Sequence, residues 1–273
     1  FFLALILAAL LVANEVYDPS VVTALHVIAL APTALISALL VRRSLPGEVI
    51  ASTPETERRK WLASSLAMML IGGLSVINSR TDIIMLGWFG DASAIGIYSV
   101  AVRGSELTMM IMMAAHAALN PTMASLFAAG KLSELNRLSV RSGRLILLAS
   151  TPLVIGLIIW GEWFLAIFGP EFTDGQITLA ILCIGNLGAL AMGPAAVVLV
   201  MTGHERRAAR AIAITVVTNI LLNLVLIPIY GKEGAAFATA LNNFARAALL
   251  TYWTFKLVGI GTAAWQRESR TFD

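Results

Sequence analysis

Long apolar segments separated by short polar turns make up most of this sequence. The segments are Phe1–Ala13, Val21–Val41, Trp61–Phe89, Gly96–Leu119, Leu145–Trp160, Ile177–Met201, Ala208–Ile229 and Ala235–Lys256. Most of them approach the roughly 20 residues that a helix needs to cross the hydrocarbon core of a bilayer. The pattern therefore predicts an all-α fold, namely a polytopic membrane protein built as a bundle of about eight transmembrane helices.

The composition supports a membrane protein. Charged residues make up 13% of the chain and hydrophobic residues 58%, whereas a soluble domain carries roughly 25% charged residues. A large soluble helical protein is the alternative, but its core does not need repeated apolar runs of this length. The single cysteine, Cys183, lies in an apolar segment. We interpret it as a small buried hydrophobe, and neither an intrachain disulfide nor a thiolate metal cluster is expected.

The chain begins at Phe1 inside an apolar run, with no initiator Met and no basic stretch before it. This start does not fit a signal peptide, which needs a basic segment ahead of its apolar region. We expect a fragment that lacks its N-terminal part. The longest polar stretch covers residues 44–60, and it is the best boundary between two units.

The basic residues are distributed unevenly between the two sets of turns. The turns on one side contain 15 of the 19 basic residues, and the opposite side has only Lys232. Cytoplasmic loops of membrane proteins carry an excess of Lys and Arg. We therefore expect the loops Arg42–Lys60, Lys131–Arg144 and Arg206–Arg210 and the C-terminus to be cytoplasmic. Because the positive charge lies in short loops, it indicates topology, and no nucleic acid partner is expected.

Four charged residues lie inside the third and fourth predicted spans: Arg80, Asp82, Arg103 and Glu106. From the helical rise, Asp82 and Arg103 are each about 10 Å below the outer boundary, and Arg80 and Glu106 about 14 Å below it. Asp82 and Arg103 are therefore candidates for a structural ion pair, with Glu106 as the nearest partner for Arg80. The alternative is that one arginine faces a water-filled cavity and binds an anionic group, for which its planar fork is suited.

Arg246 lies deeper than these residues. It is 12 residues past Gly234, about 18 Å into the membrane, which is too deep to reach the interface easily. Asn242 and Asn243 share its helix face. This polar stripe predicts either the wall of a cavity or an interhelical hydrogen-bonding patch. If Asp82 and Arg103 pair with each other, Arg80 and Arg246 are the better candidates for substrate binding.

The remaining polar residues give weaker signals. His116, in the fourth span, is interpreted as a packed polar residue, with proton coupling as the alternative. Pro32, Pro152 and Pro194 lie within predicted spans, where they can kink the helices. The sequence contains no paired catalytic carboxylates, no phosphate-binding glycine loop and no His/Cys metal spacing. We therefore expect no enzyme activity, no cofactor and no metal site.

Several short motifs occur in a definite order along residues 61–260. They are Asp82–Gly87, Gly96–Ala101, Asn120–Thr122, Phe168–Phe172, Thr202–Arg206, Asn219–Pro228 and Tyr230–Thr239. Each motif alone is weak, but their order and spacing make the combination specific. The chain resembles the bacterial oligosaccharide flippases of the multidrug/oligosaccharidyl-lipid/polysaccharide exporter superfamily.

The resemblance implies two six-helix lobes around a central cavity. Residues 1–43 would then hold the last two transmembrane helices of the N-terminal lobe, and residues 44–60 the cytoplasmic linker between lobes. Residues 61–260 would form the C-terminal six-helix lobe, followed by a cytoplasmic tail at 261–273. On this resemblance the sequence would lack most of the first lobe.

The resemblance also implies an activity. Such a protein would flip undecaprenyl-pyrophosphate-linked oligosaccharides across the bacterial cytoplasmic (inner) membrane by alternating access, for surface polysaccharide such as the O-antigen of lipopolysaccharide. Arg80, Arg103 and Arg246 are the candidates for contact with the pyrophosphate. The expected partners are this lipid-linked substrate, membrane lipids, a coupling proton or sodium ion, and other polysaccharide assembly proteins.

Three other functions remain alternatives. A multidrug or cell-wall-precursor (lipid II type) exporter belongs to the same superfamily, but an exporter of cationic drugs should prefer acidic cavity residues. A membrane-embedded polymerase or ligase should carry a long extracytoplasmic loop, whereas the longest outer loop, residues 161–176, is short. A purely structural membrane subunit would not need Arg246 at mid-depth.

Overall fold

The computed structural model describes residues 35–43, 58–89 and 92–266. Within these ranges the chain is helical and contains no β-strand. Its helices are α1 (35–43), α2 (Arg58–Phe89), α3 (Ala92–Ala128), α4 (Leu132–Ile159), α5 (Gly161–Ala166), α6 (Gln176–Leu190), α7 (Ala195–Met201) and α8 (Glu205–Val258), with a 3₁₀ helix at Pro170–Gly175. The first predicted span, most of the second and most of the 44–60 stretch lie outside the described residues.

The chain divides into two compact units, Phe1–Glu57 and Arg58–Asp273. Helix α1 belongs to the first unit, and α2 to α8 belong to the second. Five of the helices in the described ranges are long and apolar enough to cross a membrane. The prediction of an all-helical, multi-pass membrane protein is confirmed.

Helix α8 contains the last two predicted spans. It is 54 residues long, and Gly231 interrupts it with φ 57° and ψ −131°. A straight helix of that length would far exceed the roughly 30 Å hydrocarbon core. Gly231 therefore separates two arms, which correspond to the predicted spans Ala208–Ile229 and Ala235–Lys256. Glycine suits this position because a positive φ is strained for residues with a Cβ.

Helix α4 corrects one predicted boundary. The sequence predicts a basic loop before Leu145, but the helix begins at Leu132. Its first half is amphipathic, with Arg137, Arg141 and Arg144 on the exposed face and Leu135 on the buried face. A helical period of 3.6 residues produces this arrangement, and the charges concealed it from a search for apolar runs.

The sixth predicted span is a broken helix. The sequence predicts a continuous segment Ile177–Met201, but the chain leaves the helix after Leu190 and begins α7 at Ala195. Gly193 has φ 71°, and Pro194 is the N-cap of α7. A proline lacks the N–H that would continue a helix, so the predicted kink at Pro194 is found as a complete break.

Residues 259–266, here called the C-terminal strap, pack against this break. The backbone N–H of Ala264 donates to Ala191 O at 2.9 Å, and that of Gly261 donates to Asn136 Oδ1 at 2.6 Å. The Arg144 guanidinium donates to the carbonyl oxygens of Ala264 and Gln266, at 2.8 and 3.0 Å. The sequence predicts a polar tail from residue 261, but residues 260–264 are buried.

Small residues allow the helices of the second unit to approach closely. Helix α8 packs against α2 and α6, and α3 packs against α4 and α6. Gly185 on α6 lies so close to Ala240 on α8 that an added Cβ would overlap it. Such contacts are typical of membrane helices, whose association depends on packing rather than on hydrophobic burial. Cys183 is buried in the same core, as predicted.

Candidate functional site

A cavity of about 570 Å³, lined by charged, polar and apolar side chains, lies between α2, α3, α6 and the second arm of α8. Each helix contributes polar side chains to the wall. The lining residues are Ser75, Asn78, Ser79, Asp82, Val102, Arg103, Ser105, Glu106, Leu107, Met109, Met110, Met113, Leu182, Asn186, Thr239, Asn243 and Arg246. Its volume lies within the roughly 300–1,000 Å³ of small-molecule sites. Since the surrounding helices cross the membrane, this wall presents charge at membrane depth.

Arg246 lies on this wall without an ion-pair partner among the described residues. Its side chain is half-buried, and its hydrogen bond is a long one, 3.5 Å from Nη2 to Asn243 Oδ1. Within the described ranges, no carboxylate lies within ion-pair distance of its guanidinium. A charge near the bilayer centre costs about 2.5–3.5 kcal/mol by insertion measurements. An anionic ligand in the cavity would offset that cost.

Asn243 connects Arg246 to the opposite wall. Its Nδ2 donates to Asn186 Oδ1 at 3.3 Å, and Asn186 Nδ2 donates to Ser105 O at 3.1 Å. A second contact, 3.4 Å long, runs from Asn186 Nδ2 to Thr108 Oγ1. These bonds link α8, α6 and α3. They fix the Asn243 amide with its oxygen toward Arg246.

Asn242 points elsewhere, although the sequence places it among the cavity candidates. It is completely buried, and its Nδ2 donates to Asn78 Oδ1 at 3.0 Å. The same oxygen accepts a 3.2 Å hydrogen bond from Asn219 Nδ2, and Asn223 Nδ2 in turn donates to Asn219 Oδ1 at 2.5 Å. Asn242 on the second arm and Asn219 on the first arm of α8 therefore both bond to Asn78 on α2.

Asp82 also differs from its prediction. It is buried, and its Oδ2 accepts hydrogen bonds from the hydroxyl of Tyr98 and, at 3.0 Å, from Thr239 Oγ1. The predicted ion pair between Asp82 and Arg103 is not formed. The other carboxylate oxygen, Oδ1, has no hydrogen-bond partner. Equal depth along two helices does not ensure that two side chains face each other, and here two hydroxyls reach Asp82 instead.

Arg103 and Glu106 both line the cavity and are exposed. They make no ion pair with each other, although they are three residues apart on α3. Arg80 is exposed as well, but it does not line this cavity and does not pair with Glu106. Positions 80 and 82 are about 200° apart on a helix, so a regular α2 turns Arg80 away when it turns Asp82 inward.

A smaller chamber of about 300 Å³ adjoins the first. The two cavities share Ser75, Met109, Asn243 and Arg246, so Arg246 stands between them. His116 lines the smaller chamber, and neither of its ring nitrogens is hydrogen-bonded to any described residue. Sequence reasoning had no signal that groups His116 with Arg246, because they are 130 positions apart. The break in the sixth span also borders this chamber through Gly193 and Pro194.

The part of the chain that the structure describes contains no group of three or more His, Cys, Asp or Glu side chains that could hold a metal ion. The cavity lining offers a guanidinium, amides and hydroxyls to a polar ligand. It also has carboxylates at Asp82 and Glu106. Together these cationic, anionic and neutral polar groups suit a ligand that has a neutral polar part next to an anionic part.

The described part of the chain combines a helical multi-pass fold with a charged cavity. Residues 66–225 match the MatE family model, and the chain belongs to that family. One solved structure is similar to it in fold. A solved structure of a MOP superfamily transporter from Pyrococcus furiosus has a TM-score of 0.62 at 19% identity, over 76% of this chain and 47% of that one.

Two similar proteins of the archaeon Haloferax volcanii are named as flippases. One is the probable flippase AglR, 32% identical over 169 residues, which are 60% of this chain and 35% of the relative. The other is the probable low-salt glycan biosynthesis flippase Agl15, 28% identical over 187 residues, which are 67% of this chain and 39% of the relative. The chain thus spans well under half the length of these relatives.

Proposed function

We propose that this chain is part of a flippase that moves a lipid-linked glycan across a membrane by alternating access. The observation that carries the proposal is Arg246, an arginine at membrane depth with no carboxylate partner among the described residues. A phosphate or pyrophosphate group would compensate its charge. The amides and hydroxyls around it suit sugar hydroxyls, and two relatives bear flippase names.

The carrier in this proposal is a polyprenyl phosphate or pyrophosphate. Resemblance to bacterial proteins suggests undecaprenyl pyrophosphate, the bacterial inner membrane and surface polysaccharides such as O-antigen. The two relatives with flippase names are archaeal, so we widen the proposal to polyprenyl carriers in general. The shared requirement is an anionic phosphate next to a glycan, with the lipid tail left in the bilayer.

The domain assignment completes this proposal. Residues 61–260 form the C-terminal six-helix lobe, and residues 1–43 contribute the last two helices of the other lobe. Residues 44–60 are the cytoplasmic linker, and 261–273 are the cytoplasmic end of the chain. The basic exposed face of α4 supports this orientation, because Arg137 and Arg141 would lie on the cytoplasmic side.

Asp82 is our candidate for the residue that binds the coupling ion. A buried carboxylate with one unpartnered oxygen can take up a proton or bind a small cation. Tyr98 and Thr239 bring α3 and α8 to the same carboxylate. Occupation of this group by an ion would change the contacts among three helices that line the cavity.

Export of a cationic drug is the second candidate. The observation in its favour is the presence of Asp82 and Glu106 on the cavity wall, where neither is paired with a base. Such an exporter would have to tolerate Arg246 in the same wall. A lipid II type precursor exporter uses the same anionic chemistry as the main proposal. A polymerase or ligase has no comparable support.

The test replaces Arg246 in the full-length protein in its own host. Arg246→Ala should abolish the surface glycan that depends on this gene while leaving the protein inserted in the membrane. Lys256→Ala, a basic residue on the same helix that lies outside the cavity, is the matched control and should leave the glycan intact. Normal glycan in the Arg246→Ala strain would contradict the proposal, and lost resistance to a cationic dye would favour drug export.

A further inference from the structure

The smaller chamber differs from the larger one in its charge. Asp82 and Glu106 line the larger chamber, together with Arg103 and Arg246. Among the residues that the structure describes, the lining of the smaller chamber contains no carboxylate, and its ionisable side chains are Arg246 and His116. An anion beside Arg246 would therefore be repelled by two carboxylates in the larger chamber, whereas no lining carboxylate would repel it in the smaller chamber.

His116 has unused hydrogen-bonding capacity. Its Nε2 is buried without a partner, and Nδ1 has no partner in the described chain either. A neutral imidazole carries one N–H donor and a protonated one carries two, so His116 offers a donor in either state. Burial shields Nε2 from the chamber, so a ligand there would form its hydrogen bond with Nδ1, the ring nitrogen that is not buried.

The rest of the chamber wall is apolar. Met112, Ile212 and Leu250 line it, and Leu250 belongs to a buried hydrophobic cluster. The chamber volume of about 300 Å³ is at the lower end for small-molecule sites. It therefore suits a compact anion with an apolar attachment better than an oligosaccharide.

We propose that the two chambers hold different parts of one lipid-linked glycan. The pyrophosphate lies in the smaller chamber, between the guanidinium of Arg246 and the imidazole of His116. The first isoprene units contact Met112 and Leu250. The sugar lies in the larger chamber, where its hydroxyls exchange hydrogen bonds with the amides of Asn243 and Asn186 and donate hydrogen bonds to the carboxylates. This inference rests on the proposed function and adds His116 as a phosphate-binding residue.

The test measures binding to the purified full-length protein in nanodiscs. The probes are geranylgeranyl pyrophosphate, geranylgeranyl monophosphate and inorganic pyrophosphate. His116→Ala should weaken binding of geranylgeranyl pyrophosphate by about tenfold or more, because one hydrogen bond to a charged group is lost. The same substitution should weaken binding of geranylgeranyl monophosphate by a smaller factor. His116→Gln keeps an N–H donor and should restore part of the affinity.

His204→Ala is the matched control, because His204 lies at the turn before α8 and outside both chambers. Equal affinity of the His116→Ala and His204→Ala proteins for geranylgeranyl pyrophosphate would overturn the inference. If Arg246→Ala nevertheless loses binding, the proposed function stands and only the role of His116 fails. If Arg246→Ala binds like wild type, both fail. If inorganic pyrophosphate binds as tightly as geranylgeranyl pyrophosphate, the chamber is a site for the free anion, and the inference is also overturned.

Discussion

Asn243 lies one turn before Arg246 on α8, and its Oδ1 accepts the 3.5 Å hydrogen bond from Arg246 Nη2. The amide nitrogen of the same side chain donates to Asn186 Oδ1 at 3.3 Å. Asn243 is thereby held with its oxygen toward the guanidinium. It orients Arg246 without neutralising it.

This arrangement predicts a strong effect of Asn243→Asp. The new carboxylate would stand beside Arg246 and take the place of an anionic ligand, so flipping should fall nearly as far as in Arg246→Ala. Asn243→Ser keeps a polar group without charge and should be much milder. The measurement is surface glycan in cells that express each full-length variant at equal levels. Equal activity of the Asp and Ser variants would show that Arg246 does not act through its charge.

Asp82→Asn tests the coupling proposal. Asparagine retains an acceptor for Tyr98 and Thr239 but cannot be ionised, so the fold should survive. The flipping rate should become insensitive to an imposed proton or sodium gradient. Proteoliposomes with and without each gradient provide the measurement. Glu162→Gln, at an exposed position outside the cavity, should respond to the gradient like wild type, and a normal gradient response of Asp82→Asn would exclude Asp82 as the coupling residue.

Asn78→Ala should destabilise the protein. Its Oδ1 accepts hydrogen bonds from both Asn219 and Asn242, so the substitution leaves the buried Asn242 amide without an acceptor and Asn219 with a 3.5 Å contact to the backbone oxygen of residue 78. The expected loss is about 1–3 kcal/mol. Thermal unfolding in detergent can be compared with that of Asn120→Ala, which removes a side-chain oxygen that already lacks a partner. If both variants unfold at the same temperature, the asparagine cluster contributes no net stability.

The sequence was sufficient to predict the fold class and the helical location of the six predicted spans from Trp61 onward, because apolar length is a local property. It also identified Arg246 and Asn243, which lie on the cavity wall, although their role in binding stays a prediction. It could not assign partners to Asp82. Depth along a helix follows from counting residues, whereas the direction of a side chain depends on how neighbouring helices rotate and pack.

The roles of Asn242 and Asn243 illustrate the same limit. Adjacent residues on a helix point about 100° apart, so one is buried against Asn78 and the other faces the cavity. Nothing in the sequence distinguishes them. The C-terminal strap was missed for a different reason, because its contacts with Ala191 and Asn136 join residues that are distant in sequence.

Gly193→Ala tests the packing of the strap. Gly193 and Gly203 both have a positive φ, 71° and 77°, so alanine at either position carries a backbone cost of about 1–2 kcal/mol. An added Cβ at Gly193 would also overlap the carbonyl oxygen of Thr262, whereas the space around Gly203 is open. Gly193→Ala should therefore lower the unfolding temperature more than Gly203→Ala. Equal shifts would mean that the strap does not pack on the break in solution.

The most direct test of the account follows the movement of a substrate in a defined system. Full-length protein is reconstituted in proteoliposomes with a fluorescent short-chain polyprenyl pyrophosphate that carries a sugar, and its exposure on each leaflet is measured by quenching. The account predicts that Arg246→Ala reduces flipping to the rate of protein-free vesicles and that Arg246→Lys retains part of it, because the charge remains but the two-pronged geometry is lost. Flipping by Arg246→Ala at the wild-type rate would contradict the claim that this unpaired arginine binds the anionic head group.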